Sequence, residues 1–469
     1  MSANNLIKTY SSKIGDKDGT KRVWIESQKI HETLMAEHLK YEPEYDFENK
    51  KIILRPGFTH SIIVRQKNNM PVIDIVNRNI NKIFDGYNHI VIKLYNDEII
   101  IEPLKEETEQ KRAKEKSNNK TPTMIEIFAG GGTLVKSLKD AGIKPIAAIE
   151  LEDKYLQNTE LNNPNIITYC GDLAKLDISL LPDADIISAG IPCEGYSQAQ
   201  TKAEKFEAHP TGSLGFYVLK IIDAIRPAVV LIEEVPNFKN SAIATMARYV
   251  LTSMGYNISE TELIGSDYGS LTKRKRYCMV ASIKKGFKFL DSYKIECNKT
   301  VKDILEIPID DREWHSIHNS RLASFYLKKE AEHIAKGNGF RIARTSINDN
   351  ITATITKGHY LQRITEPILV HPEDSNCFSI FTPREIARIN SLPDDFKLPE
   401  AKTTSGEIIG QGVCYNAFNA VGKMIVQHFN SIEYDEEKEK LLAFKEKINT
   451  TNVDYTNDQI SCFFNGTLF

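Results

Sequence analysis

The spacing of apolar and polar positions divides the chain into stretches of different texture. Between residues 23 and 102, short apolar runs at 23–25, 51–54, 61–64 and 71–76 are separated by turn residues, and a hairpin joins 89–95 to 98–102 across Asn96-Asp97. Ser27 is placed to cap a short helix over 28–39. These runs predict a small β-rich module. Residues 105–120, KEETEQKRAKEKSNNK, have almost no apolar side chain and read as a charged linker, or as a short solvated helix followed by a linker. From residue 124 the pattern changes to apolar strands alternating with helical periodicity. Strands are expected at 124–128, 146–149, 166–169, 185–189, 228–232 and 277–281, with helices at 134–141 and 216–225. Such alternation implies crossover units and a parallel sheet, so the expected fold is a Rossmann-like, doubly wound α/β domain. Periodicity weakens between residue 284 and about residue 376, where Trp314, His315, His318, Arg321 and the stretch Lys336-Gly-Asn-Gly-Phe340 fall on expected loops. Helical patterns return at 381–392, 415–429 and 433–447.

Composition narrows the class of protein. The 469 residues are 41% hydrophobic and 26% charged, and are long enough for more than one hydrophobic core. No apolar run approaches the roughly 18 residues needed to cross a bilayer, and the polar start does not resemble a secretory leader. A cytoplasmic, nucleoid-associated protein is expected. Seven scattered cysteines without a Cys-x-x-Cys pair argue for reduced thiols and against a zinc site. The net charge of −3 neither suggests nor excludes a nucleic-acid partner, since a local basic surface suffices for phosphate contacts. The β-rich module carries no clustered His, Cys or carboxylate set, and fits a docking module or a structural appendage equally well.

The candidate chemistry sits at strand ends. The glycine turn Ala129-Gly-Gly-Gly-Thr133 lies between the first strand and first helix, and Glu150 follows Gly130 by 20 residues, a spacing that suits an acid holding ribose hydroxyls. The turn lacks the full dinucleotide spacing. Glu150, the apolar Leu151 and Asp172 together suit an adenosine moiety. Cys193 closes the strand 185–189 in a Pro-Cys corner that fits ordinary packing as well as nucleophilic catalysis, and Glu233 ends the next strand, 40 residues on. Arg274 and Arg276 are two apart in a segment expected to be extended, so both guanidinium groups point the same way, into a cleft or, as an exposed basic turn, into solvent.

Taken in order, Phe128-Ala-Gly-Gly-Gly, Ile191-Pro-Cys193-Glu-Gly-Tyr-Ser197, Glu233-Glu-Val235, Arg274-x-Arg276, Phe381-Thr-Pro-Arg384-Glu385 and Gly410-Gln-Gly-Val413 resemble the cytosine-5 DNA methyltransferases. The similarity covers roughly residues 123–285 and 376–430. It implies transfer of a methyl group from S-adenosyl-L-methionine to carbon 5 of a cytosine flipped out of duplex DNA, as part of a restriction–modification or mobile-element protection system. A tRNA cytosine-5 methyltransferase and a non-catalytic DNA-binding regulator are the alternatives. The resemblance makes Cys193 the nucleophile, Glu233 the acid on the base, and Arg274 and Arg276 the groups that position it. Cofactor contacts are implied for Phe128, Gly130, Gly132, Glu150, Leu151, Asp172, Leu173, Pro192, Gln411 and Val413. Substrate contacts are implied for Ser197, Lys336, Arg341 and Arg344, with no metal and a monomeric chain. Arg384 is expected to organise the recognition region. The implied division is an accessory domain at 1–104, a linker at 105–122, a catalytic domain at 123–285, target recognition at 286–375, the rest of the catalytic domain at 376–432 and a tail at 433–469. Four positions depart from the pattern: Ile191, Glu194, Glu234 and Thr272 stand where proline, glutamine, asparagine and glutamine are usual. Glu194 and Glu234 are expected to bring two extra carboxylates close to DNA.

Overall fold

The computed structural model describes residues 5–32, 40–57, 62–63, 65–67, 70–192, 210–318, 321–337, 341–361 and 366–431. Alternating burial in the first hundred residues builds two antiparallel sheets. The strands are β1 (Leu6–Lys13), β2 (Gly15–Lys17), β3 (Thr20–Glu26), β4 (Lys40–Asp46), β5 (Lys51–Pro56), β6 (Ile62–Ile63), β7 (Arg65–Lys67), β8 (Met70–Val76), β9 (His89–Tyr95) and β10 (Ile99–Pro103), with a short helix α1 (Arg78–Ile83) after β8. One sheet runs β1-β9-β10-β5-β4-β6 and the other β2-β3-β8-β7. Their inward residues, among them Val23, Ile25, Ile52, Leu54, Ile73, Ile90 and Ile92, form one core. The helix expected from Ser27 is a single 3₁₀ turn, Gln28–Glu32, and residues 33–39 of that expectation lie outside the described residues.

The charged stretch that follows contains a helix, α2 (Lys105–Lys116), with Glu106 and Glu107 in its first turn and Lys114 and Lys116 in its last, a distribution that complements the helix dipole. Its side chains grip both neighbours. Glu107 accepts from the Asn88 and His89 backbone N–H groups at 2.8 and 3.2 Å. On the other side, the Arg226 guanidinium meets both oxygens of Glu106 at 2.8 and 3.0 Å, and Lys116 Nζ reaches the Ile225 carbonyl at 2.7 Å. Ala113 is buried in the core of the second domain. Asp185, just before a central strand, accepts from Asn119 and from Thr123. The anchor points all precede strands, so α2 is fixed at the amino-terminal edge of the sheet.

That sheet contains β11 (Thr123–Ile127), β12 (Lys144–Glu150), β13 (Ile167–Cys170), β14 (Ile186–Gly190), β15 (Val229–Glu234), β16 (Asn257–Ile264) and β17 (Lys275–Ser282), in the order β13-β12-β11-β14-β15-β17-β16. Helices α3 (Thr133–Asp140), α4 (Asp153–Asn162), α5 (Leu214–Ile225) and α6 (Ala242–Ser253) supply the crossovers. The parallel sheet expected from the alternation holds for β11 to β15, but β17 runs antiparallel between β15 and β16. β16 was not anticipated from the sequence: Asn-Ile-Ser-Glu-Thr-Glu-Leu-Ile is an edge strand with mostly half-buried side chains and no apolar run. The strand order reverses between β11 and β14, which places the ligand crevice above their carboxyl ends.

Beyond β17, a four-stranded sheet of β18 (His315–Ser316), β19 (Arg344–Thr345), β20 (Ile368–Val370) and β21 (Cys377–Ser379) is accompanied by α7 (Arg321–Ala335), a helix in the interval where loops were expected. Helices α8 (Pro383–Ile389), α9 (Lys402–Gln411) and α10 (Tyr415–Asn430) follow, α8 lying in a separate core and α10 packing on α3 beside the seven-stranded sheet. Residues 433–447, read as a helix, lie outside the described residues. No helix among the described residues is long and apolar enough to cross a membrane.

Replacing Arg226 by alanine removes the fork that holds Glu106 and leaves α2 tied to the second domain through Lys116, the Arg112–Asp183 pair and buried Ala113. The variant is expected to lose about 2 kcal/mol of stability, as for charged hydrogen bonds in a partly buried setting; a denaturant titration of both proteins measures the difference.

Candidate active site

The cofactor end is built from backbone geometry. Phe128 sits at φ 62°, Gly130 at 53° and Gly132 at 86°, so the turn after β11 depends on left-handed conformations that glycine adopts without strain. At Gly131 a side chain would collide with Ile408, which brings α9 against the turn. Glu150, at the end of β12, accepts from Gly130 N–H at 2.7 Å through Oε2 and from the Leu151 and Glu152 N–H groups at 2.8 and 3.0 Å through Oε1. Three amides therefore fix the carboxylate against the glycine turn. Leu151 beside it is 61% exposed, a large apolar surface left uncovered at the rim. Asp172, at the end of β13, uses Oδ1 to accept from Ala174 N–H at 3.0 Å. Leu173 is buried beneath it, and Pro192 is half-buried. Gln411 lies on the same turn: a Cβ on Gly130 would stand 3.4 Å from its Nε2. Val413 is buried behind it, its N–H 3.4 Å from Thr133 Oγ1.

The reacting end meets this turn at Gly190. Glu233 pairs in register with Gly190 on one side and Cys278 on the other. A Cβ on Gly190 would lie 3.3 Å from Glu233 Oε2 and 3.9 Å from the Phe128 carbonyl oxygen, so the acid and the glycine turn converge on a position with little room for a side chain. Arg276 Nε is 2.6 Å from Glu233 Oε1. Burial pushes the Glu233 carboxyl above the usual range, opposed first by Arg276 and then by Arg274. Arg274 is buried and donates to the Ile355 and Gly410 carbonyls, each at 3.1 Å. The structure thus divides the pair: one guanidinium faces the acid, and the other ties the cleft wall to two distant segments.

Cys193, Glu194 and Ser197 lie outside the described residues. The described cysteines near Glu233 are protonated thiols, because burial pushes both Cys278 and Cys414 up. Glu234 is buried at the end of β15 and not presented at a surface, contrary to its expected place close to DNA. Among the described residues no group of three His, Cys, Asp or Glu side chains is arranged to hold a metal ion.

In the recognition interval, Lys336 and Arg341 are exposed at the end of α7 and just beyond it. Arg344 makes a two-pronged pair with Glu330, both contacts at 2.9 Å. Trp314 donates to the Ile309 carbonyl and packs edge-on against His371. Arg384 holds the Phe396 carbonyl with two N–H groups at 3.1 Å. It is the neighbouring Glu385 that reaches into the recognition interval, accepting from Glu306 N–H at 2.9 Å and pairing with the buried Arg312.

Sequence reasoning also missed Glu126. It lies in the middle of β11, fully enclosed, opposite Ser188 in the register of β14. Burial pushes its carboxyl up to about 8, with a further rise from the Glu233 charge. A lone carboxylate inside the apolar run Met-Ile-Glu-Ile-Phe was the available signal.

A sheet with this strand order, a glycine turn after its first strand and an acid at the end of the second defines a nucleotide-type α/β enzyme. A model of the C-5 cytosine-specific DNA methylases matches residues 122–427. The Type II methyltransferase M.NlaX of Neisseria lactamica is 29% identical over 307 residues, covering 64% of this chain and 95% of the relative. M.DsaV of Dactylococcopsis salina is likewise 29% identical, over 330 residues, covering 68% of this chain and 89% of its own. Among solved structures, the S. pombe Dnmt2 methyltransferase shares the fold, with a TM-score of 0.52 at 18% identity over 66% of this chain and 99% of that one. The chain belongs to the C-5 cytosine-specific DNA methylase family and is a DNA cytosine-5 methyltransferase.

Glu126 keeps its proton in the folded protein above the pH at which the unfolded chain has lost it. Stability on this account is full below about pH 4.5, the ordinary glutamate value, and falls as pH rises towards about 8. Glu126→Gln, which needs no proton, is expected to flatten that decline; unfolding temperatures of both proteins between these limits measure it.

Proposed function

We propose that the chain methylates cytosine in duplex DNA through a covalent adduct on Cys193, with S-adenosylmethionine as the methyl donor, and that it serves a restriction–modification system. The observation that carries this reading is the convergence of Glu233 and the Phe128 turn on Gly190, two residues after which the chain reaches Pro192 and then Cys193. The residues at the cofactor end fit the donor. Glu150, ordered by three amides, is suited to a ribose diol; the exposed Leu151 offers an apolar surface to a purine; and Asp172 Oδ2, without a hydrogen bond among the described residues, is suited to an exocyclic amine. When bound, S-adenosylmethionine supplies an electrophilic methyl group.

The remaining chemistry belongs to the chain. Ring carbon 5 of cytosine is a poor nucleophile until a thiolate adds at carbon 6. The Cys193 sulfur forms that bond, and the displaced electron pair makes carbon 5 enamine-like. Glu233, held protonation-competent by burial, bonds the ring at nitrogen 3 and the amino group as charge develops there. Arg276 keeps Glu233 in place. After transfer, a base takes the proton from carbon 5, the freed electron pair forms the carbon 5–carbon 6 double bond as the carbon–sulfur bond breaks, and Glu233 takes back the nitrogen 3 proton, restoring the ring. A stacked base cannot meet this geometry, so the cytosine must leave the duplex, at a cost of a few kcal/mol. Residues 286–375 supply the target-recognition region in this reading, with Lys336, Arg341 and Arg344 towards DNA, and residues 1–104 an accessory module. The Type II methyltransferase relatives support the restriction–modification role.

With labelled S-adenosylmethionine and either plasmid DNA or tRNA, label is expected in DNA; label confined to tRNA overturns the substrate assignment. Cys193→Ser is expected to lower transfer by about three orders of magnitude or more while leaving donor binding unchanged. Glu233→Gln is expected to lose roughly a hundredfold in kcat.

A further inference from the structure

β15 ends in two consecutive buried carboxyls, Glu233 and Glu234, and strand alternation sends them to opposite faces of the sheet. Glu233 faces Arg276. Glu234 has no such counterion: its Oε2 accepts the Val235 backbone N–H, and Oε1 is enclosed with no hydrogen-bond partner among the described residues. An unpaired carboxylate in such a place is costly, and the group keeps its proton instead. Since Oε2 is occupied as an acceptor, the proton belongs on Oε1.

We propose that Glu234 is a positioning residue that works as a neutral carboxyl, fixing the bend between Glu233 and Val235 without adding a second charge beside the Arg276–Glu233 pair, so that its ionisation at alkaline pH disables methyl transfer. This rests on the role assigned to Glu233 above. Burial pushes Glu234 up to about 9, the neighbouring Glu233 charge adds to the rise, and Val235 N–H and Arg276 oppose it.

Charged and titratable groups from three neighbouring elements stand around Glu234. From β17 its cross-strand partner is Tyr277, whose phenol is pushed further up by burial, while the adjoining Arg276 turns to the Glu233 face. Beyond Tyr277, β16 brings Glu260 and Glu262, the first paired with Arg248 at 2.5 Å and the second with Lys275 at 3.1 Å. Lys239 stands in the turn Pro236–Asn240 that follows β15. On the Glu233 side, Glu126 is the other carboxyl held neutral, and the experiment separates it.

Methyl transfer to plasmid DNA is measured at saturating donor, from neutral pH to about one unit above the midpoint expected for Glu234, for the wild type, Glu234→Gln, Glu234→Ala, Glu126→Gln and Glu233→Gln, each first checked for a cooperative thermal transition. The wild-type kcat is expected to fall about tenfold per pH unit above a midpoint near 9. Glu234→Gln, an amide with the same acceptor for Val235 and no proton to lose, is expected to keep the neutral-pH kcat within about threefold and to lack that fall. Glu234→Ala is expected to lose kcat at every pH, with the KM for donor unchanged. The proposal is overturned if the alkaline fall persists in Glu234→Gln, if it disappears in Glu126→Gln alone, or if a folded Glu234→Gln is inactive at neutral pH. Full activity in Glu233→Gln is a different outcome: it overturns the assigned role of Glu233 itself.

Discussion

The ion pair between Arg276 and Glu233 is the contact on which the catalytic crevice depends. It joins two antiparallel neighbours, β15 and β17, at the carboxyl end of the sheet, inside a region where an unmatched charge is expensive. A family of neutral or carbonyl-bound groups surrounds it. Glu126 and Glu234 hold protons, and Arg274 is taken up by two main-chain oxygens. The crevice thus sets two guanidinium groups close to one carboxyl, where the proposed reaction has a pyrimidine ring to polarise.

The closeness of the two halves of the site follows from a missing side chain. Gly190 stands between the acid and the Phe128 carbonyl, and a Cβ there would crowd the Glu233 carboxyl. The glycine turn follows β11 and Glu233 ends β15, the two strands that flank β14, so a single strand separates them. In the proposed reaction that closeness suits the transfer of a methyl group between two bound molecules.

Much of the sheet is legible in the sequence. The apolar runs of β11, β14 and β15 are buried on both faces, so they stand out as unbroken hydrophobic stretches, and the glycine turn and strand-end acids follow them in order. What escaped were elements whose sequence does not show their burial. β16 is a half-exposed edge strand of mixed polarity, and α7 carries a weakly sorted face. α2 looks like solvent-exposed linker because its charges are spent on partners 120 and 18 to 19 residues away, which periodicity does not reveal. The pairing of arginines was read from their spacing as a common orientation, which leaves open what each reaches; only the fold shows Arg274 bound to Ile355 and Gly410.

Arg274 has a bearing on how recognition specificity can be exchanged between relatives. Its guanidinium gathers three separate stretches of chain, and the Ile355 carbonyl it uses is held by the adjoining Thr356, whose N–H and hydroxyl both bond Glu366. Leu271, Ile355, Leu369 and Ile409 then share one core. A transplanted segment joined simply at residues 286 and 375, the bounds proposed for target recognition, would therefore carry one half of this clasp from the donor and the other from the host. The natural seams for a chimera run around the clasp, keeping residues 352–366 with whichever parent supplies Arg274.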